Sequence, residues 1–544
     1  MLQLSSHELR TKWQQFRENN KHAYLPEASL IADKESTALF NVAGMQQLIP
    51  FLVGKAHPLG ARLYNIQKCV RTNDIDDIGD ERHLSLFEMM GNWSLGDYFK
   101  KESITWTVQF LHHELQIPLD KIGATVFAGD TKQGIPRDEE SLAILADLGI
   151  TNIKEMWFDD KGESDNFWTP GPIGPCGPCA EFYYDRGETY GPTDRDMWVN
   201  DRYTEIWNNV FMSYYSDGSG KLTELPQKNV DTGMGFERLL LVLQNGETVF
   251  DTDILRPLVQ IADDTLPLWD ERKNIPDIHK THIESCRVFA DHLRTATFLI
   301  RDGIEPSNEG KWYVVRRLIR RVCFRFRGAK TGVLENSVSK IVEKIKELHP
   351  HETLDTKKIT QSIKKEINKF NSTIDNGETF ASQVFRKIKQ GDIKWKEIAG
   401  SLFTLFESFG YPYELSIELF ENGGGVLDKN TIKKDFDEKL KEAQDRSRAA
   451  TKGKFTLDVD RSAYIQWLPS TQFIWYKELQ NTESKLLKDF VVNDQRVLVF
   501  DKTPFYAEWG GQTWDRGVIT LDSGEQVQVV DVKKYEGIYL HIVQ

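Results

Sequence analysis

Near residue 250 the chain changes its hydrophobic rhythm, and near residue 455 it changes back. Before the first boundary, short apolar runs alternate with glycine- and proline-rich turns, the pattern of a mixed sheet with helices. Between the two boundaries Lys/Glu-rich segments with helical spacing dominate, at 337–348, 357–370 and 431–449. Beyond the second, strand-like alternation returns at 496–500, 517–521 and 527–532, punctuated by Gly and Asp turns. A period of 2 and a period of 3.6 cannot share one layer, so the rhythm predicts an α+β chain built in series. Its 544 residues also exceed what a single core holds. The expected segments are 1–246, 247–455 and 456–544, the middle one all-helical and the last β-rich.

Local signals sharpen this. Ser5-x-x-Glu8 is a capping box, and Leu9, Trp13 and Phe16 fall on one helical face behind it. Residues 206–215, a turn at 217–220 and residues 221–225 read as a hairpin. Gly233-Met234-Gly235 precedes an apolar helix over 236–243 that Asn245-Gly246 stops.

Composition excludes several classes. No run approaches the roughly 18 apolar residues that a membrane span needs. The first residues carry neither an apolar signal core nor an acid-poor transit character, so a cytoplasmic location is expected. Five cysteines, an odd number, suit reduced thiols rather than a disulfide framework. A net charge of −13 excludes a uniformly basic nucleic-acid coat. Against that background, residues 311–330 hold eight Lys/Arg and no acid. Arg316, Arg317, Arg320 and Arg321 form a stripe backed by Val315, Leu318, Ile319 and Val322, suited to a phosphate backbone or to salt bridges with the acidic remainder.

Three strings carry chemistry. Arg71, a loop, and then His83 four positions ahead of Phe87 suit a two-stranded nucleotide-binding hairpin: guanidinium to phosphate, phenyl against base. A surface arginine and a core phenylalanine account for the string equally well. In Asp231-Thr232-Gly233-Met234-Gly235-Phe236-Glu237-Arg238 two glycines admit a ligand to the backbone, and Arg238 opens the next helix. Arginine stands where a dinucleotide fingerprint has its third glycine, so the helix is better suited to phosphate or a base. A plain glycine turn remains open. Asp165-Asn166-Phe167-Trp168 precedes a Gly/Pro-rich loop with Cys176-Gly177-Pro178-Cys179. Zinc would need a second ligand pair that the spacing does not supply, and a redox pair would need a helix start.

In order, these strings resemble the alanyl-tRNA synthetase family. The resemblance rests on Leu39-Phe40-Asn41-Val42-Ala43-Gly44-Met45-Gln46 with Pro50, on Cys69-Val70-Arg71 through Met89-Met90-Gly91-Asn92-Trp93, and on Asp231 to Arg238. Glu205-Ile206-Trp207-Asn208, Arg287-Val288-Phe289-Ala290-Asp291-His292 and Pro306-Ser307-Asn308-Glu309 also fit. It implies a class II synthetase antiparallel sheet flanked by helices, then a helical tRNA-recognition region, then the barrel-like segment that precedes the family's editing domain. Arg71, Arg238 and Asp231 would be catalytic. ATP would meet Arg71, His83, Phe87, Gly235 and Arg238; alanine would meet Trp168, Asn208, Val210, Asp231 and Gly233. The tRNA acceptor stem, with its G·U pair, would meet Asn308, the four stripe arginines and Glu414.

The implied partners are ATP with Mg²⁺, L-alanine and tRNA(Ala). No zinc is expected, because the editing-domain ligands are absent, and the chain is expected to be a monomeric N-terminal portion of a longer protein. A substrate carboxylate is already ionised, so activation needs in-line positioning and cations rather than a general base. A catalytically related amino-acid-activating paralogue and an RNA-binding relative are the alternatives. Intact Arg71, Asp231 and Arg238 weigh against the second, and the arginine stripe weighs against the first.

Overall fold

The computed structural model describes residues 1–544 except 33–38, 132–133, 159–163, 165, 170–172, 194–200, 219–220, 266–277, 308–309, 327–331, 393, 395–397, 410, 412, 423–427, 451–470, 475–482, 493–494, 506–516, 522, 536–537 and 544. It divides into two compact units, Met1–Leu427 and Asp428–Gln544.

The first unit is organised by one sheet. Its strands are β1 (Ala23–Tyr24), β2 (Arg62–Val70), β3 (Leu86–Leu95), β4 (Ile122–Phe127), β5 (Asn152–Met156), β6 (Phe167–Trp168), β7 (Ile173–Asp185), β8 (Tyr203–Asp217) and β9 (Leu222–Gly235). They run in the order β1-β2-β3-β9-β8-β7-β4-β5, with β6 paired to β7. The sheet is antiparallel as expected, apart from the parallel pairs β1–β2 and β4–β5 at its two edges. The hairpin read from 206–225 is the β8–β9 pair.

Helices cover the sheet: α1 (Ser6–Asn19), α2 (Ile49–Leu52), α3 (Lys100–Val108), α4 (Glu139–Asp147) and α5 (Phe236–Leu243). The Ser5–Glu8 capping box forms, and Leu9, Trp13 and Phe16 are buried on the face it orients. Trp13 donates its indole N–H to the Asn65 carbonyl of β2 at 3.1 Å.

The middle segment is helical, as its spacing predicts: α6 (Arg256–Thr265), α7 (Ile278–Arg301), α8 (Gly310–Arg325), α9 (Val333–Leu348), α10 (Thr356–Gln390), α11 (Ala399–Phe409) and α12 (Tyr413–Asn422). Buried charges join these helices to the rear of the sheet. Glu88 of β3 meets Arg10 of α1 at 2.6 Å and Arg294 of α7 at 3.5 Å. Arg294 also holds Glu237 of α5 at 2.7 Å. Burial by itself would raise the Glu88 carboxyl, but Arg10, Lys68, His349 and Arg294 around it hold it well below the usual range. Lys68 of β2 pairs with Glu27 and with Glu352 just beyond α9.

In the second unit α13 (Lys429–Ala450) precedes β10 (Gln472–Phe473), β11 (Leu486–Val492), β12 (Gln495–Phe500), β13 (Lys502–Thr503), β14 (Gly517–Thr520), β15 (Gln526–Tyr535) and β16 (Ile538–Val543). Among the described residues β11-β12-β16-β15-β14 form an antiparallel sheet, and β10 pairs with β13. Alternation is complete on β12: Val497 and Val499 enter one apolar cluster, Leu498 and Phe500 the other. Both faces are covered, which matches the β-rich reading of this segment.

Candidate active site

Strand register assembles the site. Asp231 lies opposite Trp93 of β3 and opposite Val210 of β8. Gly233 lies opposite Asn208, and Gly235 opposite Met89. Paired residues share a face and alternate residues return to it, so Phe87, Met89, Trp93, Asn208, Val210, Asp231 and Gly233 look the same way. On β7, Cys179 pairs with Val210 and Glu181 with Asn208, which extends that face. Trp168 packs against the cluster containing Trp93, Cys179 and Val210. The Asp231-to-Gly235 string is therefore the end of a strand rather than a turn.

At one end of this face Arg71 follows β2. Its backbone N–H donates to the Ser85 carbonyl at 3.0 Å, and its guanidinium lies 4.9 Å from the centre of the Phe87 ring. Arg71 is exposed. Ser85 is itself gripped by Asp291 of α7, which accepts from its N–H at 2.9 Å and from its hydroxyl. His83 is exposed and its Nδ1 lies 2.5 Å from Asp80. Against partial desolvation, hydrogen bonds from the His83 side chain and from the His83 and Arg82 backbone N–H groups hold the Asp80 carboxyl below its usual range.

At the other end Asp231 is buried, with 7% exposure. The Trp93 indole donates to its Oδ1 at 2.7 Å; Oδ2 has no donor among the described residues. Burial lifts the carboxyl to about 7, only partly offset by that hydrogen bond. Such a group gains from a cation placed beside it. Asn208 donates to Glu181 at 2.9 Å, and Tyr183 donates to the other Glu181 oxygen at 2.6 Å, so Asn208 is held in one orientation. A Cβ at Gly233 would stand 2.9 Å from the Met89 sulfur.

Arg238 lies in the first turn of α5 beside Gly235, and donates to Glu205 of β8 at 2.6 Å. Burial would lower its basicity, but Glu205 raises it, so the guanidinium stays charged.

The match to a family decides what this face belongs to. Residues 8–544 fit the family model of tRNA synthetases class II (A). The chain belongs to that family. Among curated relatives, the class II synthetase is similar to the alanine–tRNA ligase of Fusobacterium nucleatum subsp. nucleatum, 35% identical over 99% of this chain and 61% of that protein. The alanine–tRNA ligase of Petrotoga mobilis is also 35% identical, over 100% of this chain and 61% of its own. That of Caldicellulosiruptor saccharolyticus is 35% identical over 99% and 60%. This synthetase chain thus spans about 61% of the length of the curated relatives it matches.

The reading of the cysteine pair as part of a loop is corrected. Cys176 and Cys179 lie inside β7 rather than in a loop, both fully buried, and the pairing to β8 shifts between them. Burial pushes the Cys176 thiol up to about 11, which suits an inert side chain. Of the two readings open for the arginine stripe of α8, salt bridges to acidic residues are present in the structure. Arg316 and Arg320 are buried and both donate to Glu366 of α10, at 2.9 and 2.8 Å. Arg320 also lies over Phe370 at 4.6 Å. Arg317 and Arg321 pair with Asp76, in the loop between β2 and β3, at 2.7 and 2.9 Å. Helical spacing found these residues but not the acids on other elements that claim them.

Asn308 lies outside the described residues, as does Asp165; Glu414 stands in α12, its side chain likewise outside them. Sequence reasoning gave no role to Trp93, Glu181, Glu205 or Asp291. Trp93, Glu205 and Asp291 stand within strings of the resemblance, but what each touches is set by strand register and helix docking, which no local spacing carries.

Proposed function

We propose that this chain is an alanine–tRNA ligase catalytic portion. It joins L-alanine to ATP, forming alanyl-adenylate and pyrophosphate, and passes the alanyl group to the 3′-terminal adenosine of tRNA(Ala). One observation carries the reading. A single sheet face holds a cation over an aromatic ring at one end, Arg71 on Phe87, and a buried carboxylate beside a small apolar wall at the other, Asp231 with Val210 and Trp168.

The ammonium of alanine pairs with Asp231, whose ionisation that cation favours. Asn208, tethered to Glu181, and Val210 leave room for a methyl group. Arg71 meets the substrate carboxylate and the α-phosphate, neutralising charge as the oxygen attacks phosphorus in line. Adenine lies between Phe87 and Arg238, with His83 and Gly235 at its margins. Mg²⁺ accompanying ATP would add positive charge at the phosphates, and the carboxylate oxygens of Glu181 and Glu205, which also accept from Asn208 and Arg238, would hold it. Residues 1–246 perform activation, 247–455 read the acceptor stem, with its G·U pair, through Asn308, Arg317 and Glu414, and 456–544 form the barrel-like segment. The portion acts as a monomer in the cytoplasm.

Alanine-dependent ATP–pyrophosphate exchange tests this. The wild-type chain exchanges with alanine, and Asp231→Ala does not. Equal exchange with leucine, or unchanged exchange in the variant, overturns the reading. Aminoacylation of a minihelix with and without the wobble pair then tests the RNA step.

A further inference from the structure

Away from the sheet face, three side chains of metal-binding type converge where α6 meets α7. His282 and Cys286 are four residues apart on α7 and therefore share a face of that helix. Asp263 of α6 reaches the same point. His282 Nε2 stands 2.6 Å from Asp263 Oδ1 and 3.7 Å from Cys286 Sγ. One donor atom from each residue lies within 4.8 Å of the other two, the one such trio among the described residues.

We propose that Asp263, His282 and Cys286 bind a single Zn²⁺ ion. The donor set selects the metal: thiolate and imidazole favour a borderline-soft cation and disfavour Mg²⁺ or Ca²⁺, which demand oxygen. The spacing suits it too. Tetrahedral Zn²⁺ with bonds of roughly 2.0–2.3 Å places neighbouring ligand atoms about 3.2–3.8 Å apart. His282 and Cys286 already stand at that separation. Asp263 needs to retreat by about half an ångström to reach it, and its side chain is 51% exposed and able to move.

The competing description is an Asp263–His282 ion pair beside a core cysteine. It accounts for the first contact but leaves the Cys286 thiol, 2% exposed, facing a ring nitrogen and, among the described residues, no carbonyl acceptor. By contrast, Cys69 points its thiol at the Gln67 carbonyl. Among the described residues the buried His282 Nδ1 has no partner, so without a cation the ring proton sits on Nε2, toward Asp263. On loading, that proton moves to Nδ1. The S–H bond of Cys286 breaks, its proton leaves to water, and the S–Zn bond forms with no change in oxidation state. Water completes the fourth position.

Local spacing could not show this site, because its ligands come from two helices rather than from a CxxC pair. Its effect reaches the loop ahead of β3. Arg287, next to Cys286, donates to the carbonyls of Gly79 at 3.1 Å and Asp80 at 3.0 Å. An ion pinning this part of α7 to α6 steadies the helix that braces that loop.

The test uses the whole chain, stripped with a chelator and titrated with Co²⁺. One equivalent binds, giving a thiolate-to-cobalt charge-transfer band in the near ultraviolet and tetrahedral d–d bands, all displaced by Zn²⁺. The bands disappear in Cys286→Ser and in His282→Gln, and persist when Cys176 and Cys179 are both replaced by serine. Zn²⁺ raises the Tm of the wild type but not of Cys286→Ser, a comparison that stands even where that variant is weakened. The proposal is overturned by a wild type without the charge-transfer band, by a band that survives Cys286→Ser, or by a band lost in the Cys176/Cys179 variant whose circular dichroism is intact.

Discussion

Trp93 and Asp231 face each other across the β3–β9 pair, and the indole N–H of the first donates to a carboxylate oxygen of the second at 2.7 Å. The bond fixes the carboxylate without neutralising it. Burial lifts this carboxyl to about 7, and the hydrogen bond offsets that only in part.

A carboxyl raised in the folded state favours folding most below its unfolded pKa, and that advantage is lost as pH rises through the folded one. Asp231→Asn removes the titration. Urea denaturation is expected to show the variant gaining on wild type between pH 4 and pH 8, by about 2–4 kcal/mol at the upper end. With the alanine ammonium on Asp231 as proposed, binding must displace the proton below pH 7, and the KM for alanine in pyrophosphate exchange rises about tenfold for each unit fall in pH there. A flat KM profile from pH 5.5 to 7 contradicts this.

Arg71 and Phe87 are expected to separate in kinetics. In the proposed role Arg71→Ala loses a cation at the reacting phosphate, and kcat for exchange is expected to fall by about 10²–10³. Phe87→Ala removes a stacking surface worth roughly 1–3 kcal/mol and acts mainly on the KM for ATP. Steady-state exchange kinetics at varied ATP distinguish the two.

Arginines of α8 divide into two kinds. Glu366→Ala leaves Arg316 and Arg320 buried without their shared carboxylate and costs about 3–5 kcal/mol in denaturant unfolding. Arg317→Ala, at a partly exposed pair with Asp76, costs under about 1 kcal/mol. That same change lowers the salt slope of RNA binding by about 1 if Arg317 meets a phosphate.

Gly177 is a strand position without space for a side chain. Its Cβ would lie 2.1 Å from the Phe211 carbonyl oxygen, a backbone atom of the neighbouring strand. Gly177→Ala is expected to cost about 1–3 kcal/mol and to lower Tm, measured by thermal unfolding.

What the chain alone determined is local in origin. The α1 cap, the apolar helix from Phe236, the β8–β9 hairpin and the helical middle segment each follow from spacing within about twenty residues, since periodicity and capping act between near neighbours. The strings around Arg71, Asp231 and Trp168 were legible as well, though only as separate strings.

Tertiary structure decided which of them meet and which charges remain available. Asp231 finds Trp93 through a register 138 residues long, and Arg320 finds Glu366 through helix packing across 46. Glu88, opposite in facing to Phe87 beside it, is drawn into a buried cluster with Arg10 and Arg294. An arginine stripe looks the same in one dimension whether solvent or a glutamate lies across from it. The difference is a desolvation energy, and it has no value until the facing element is in place.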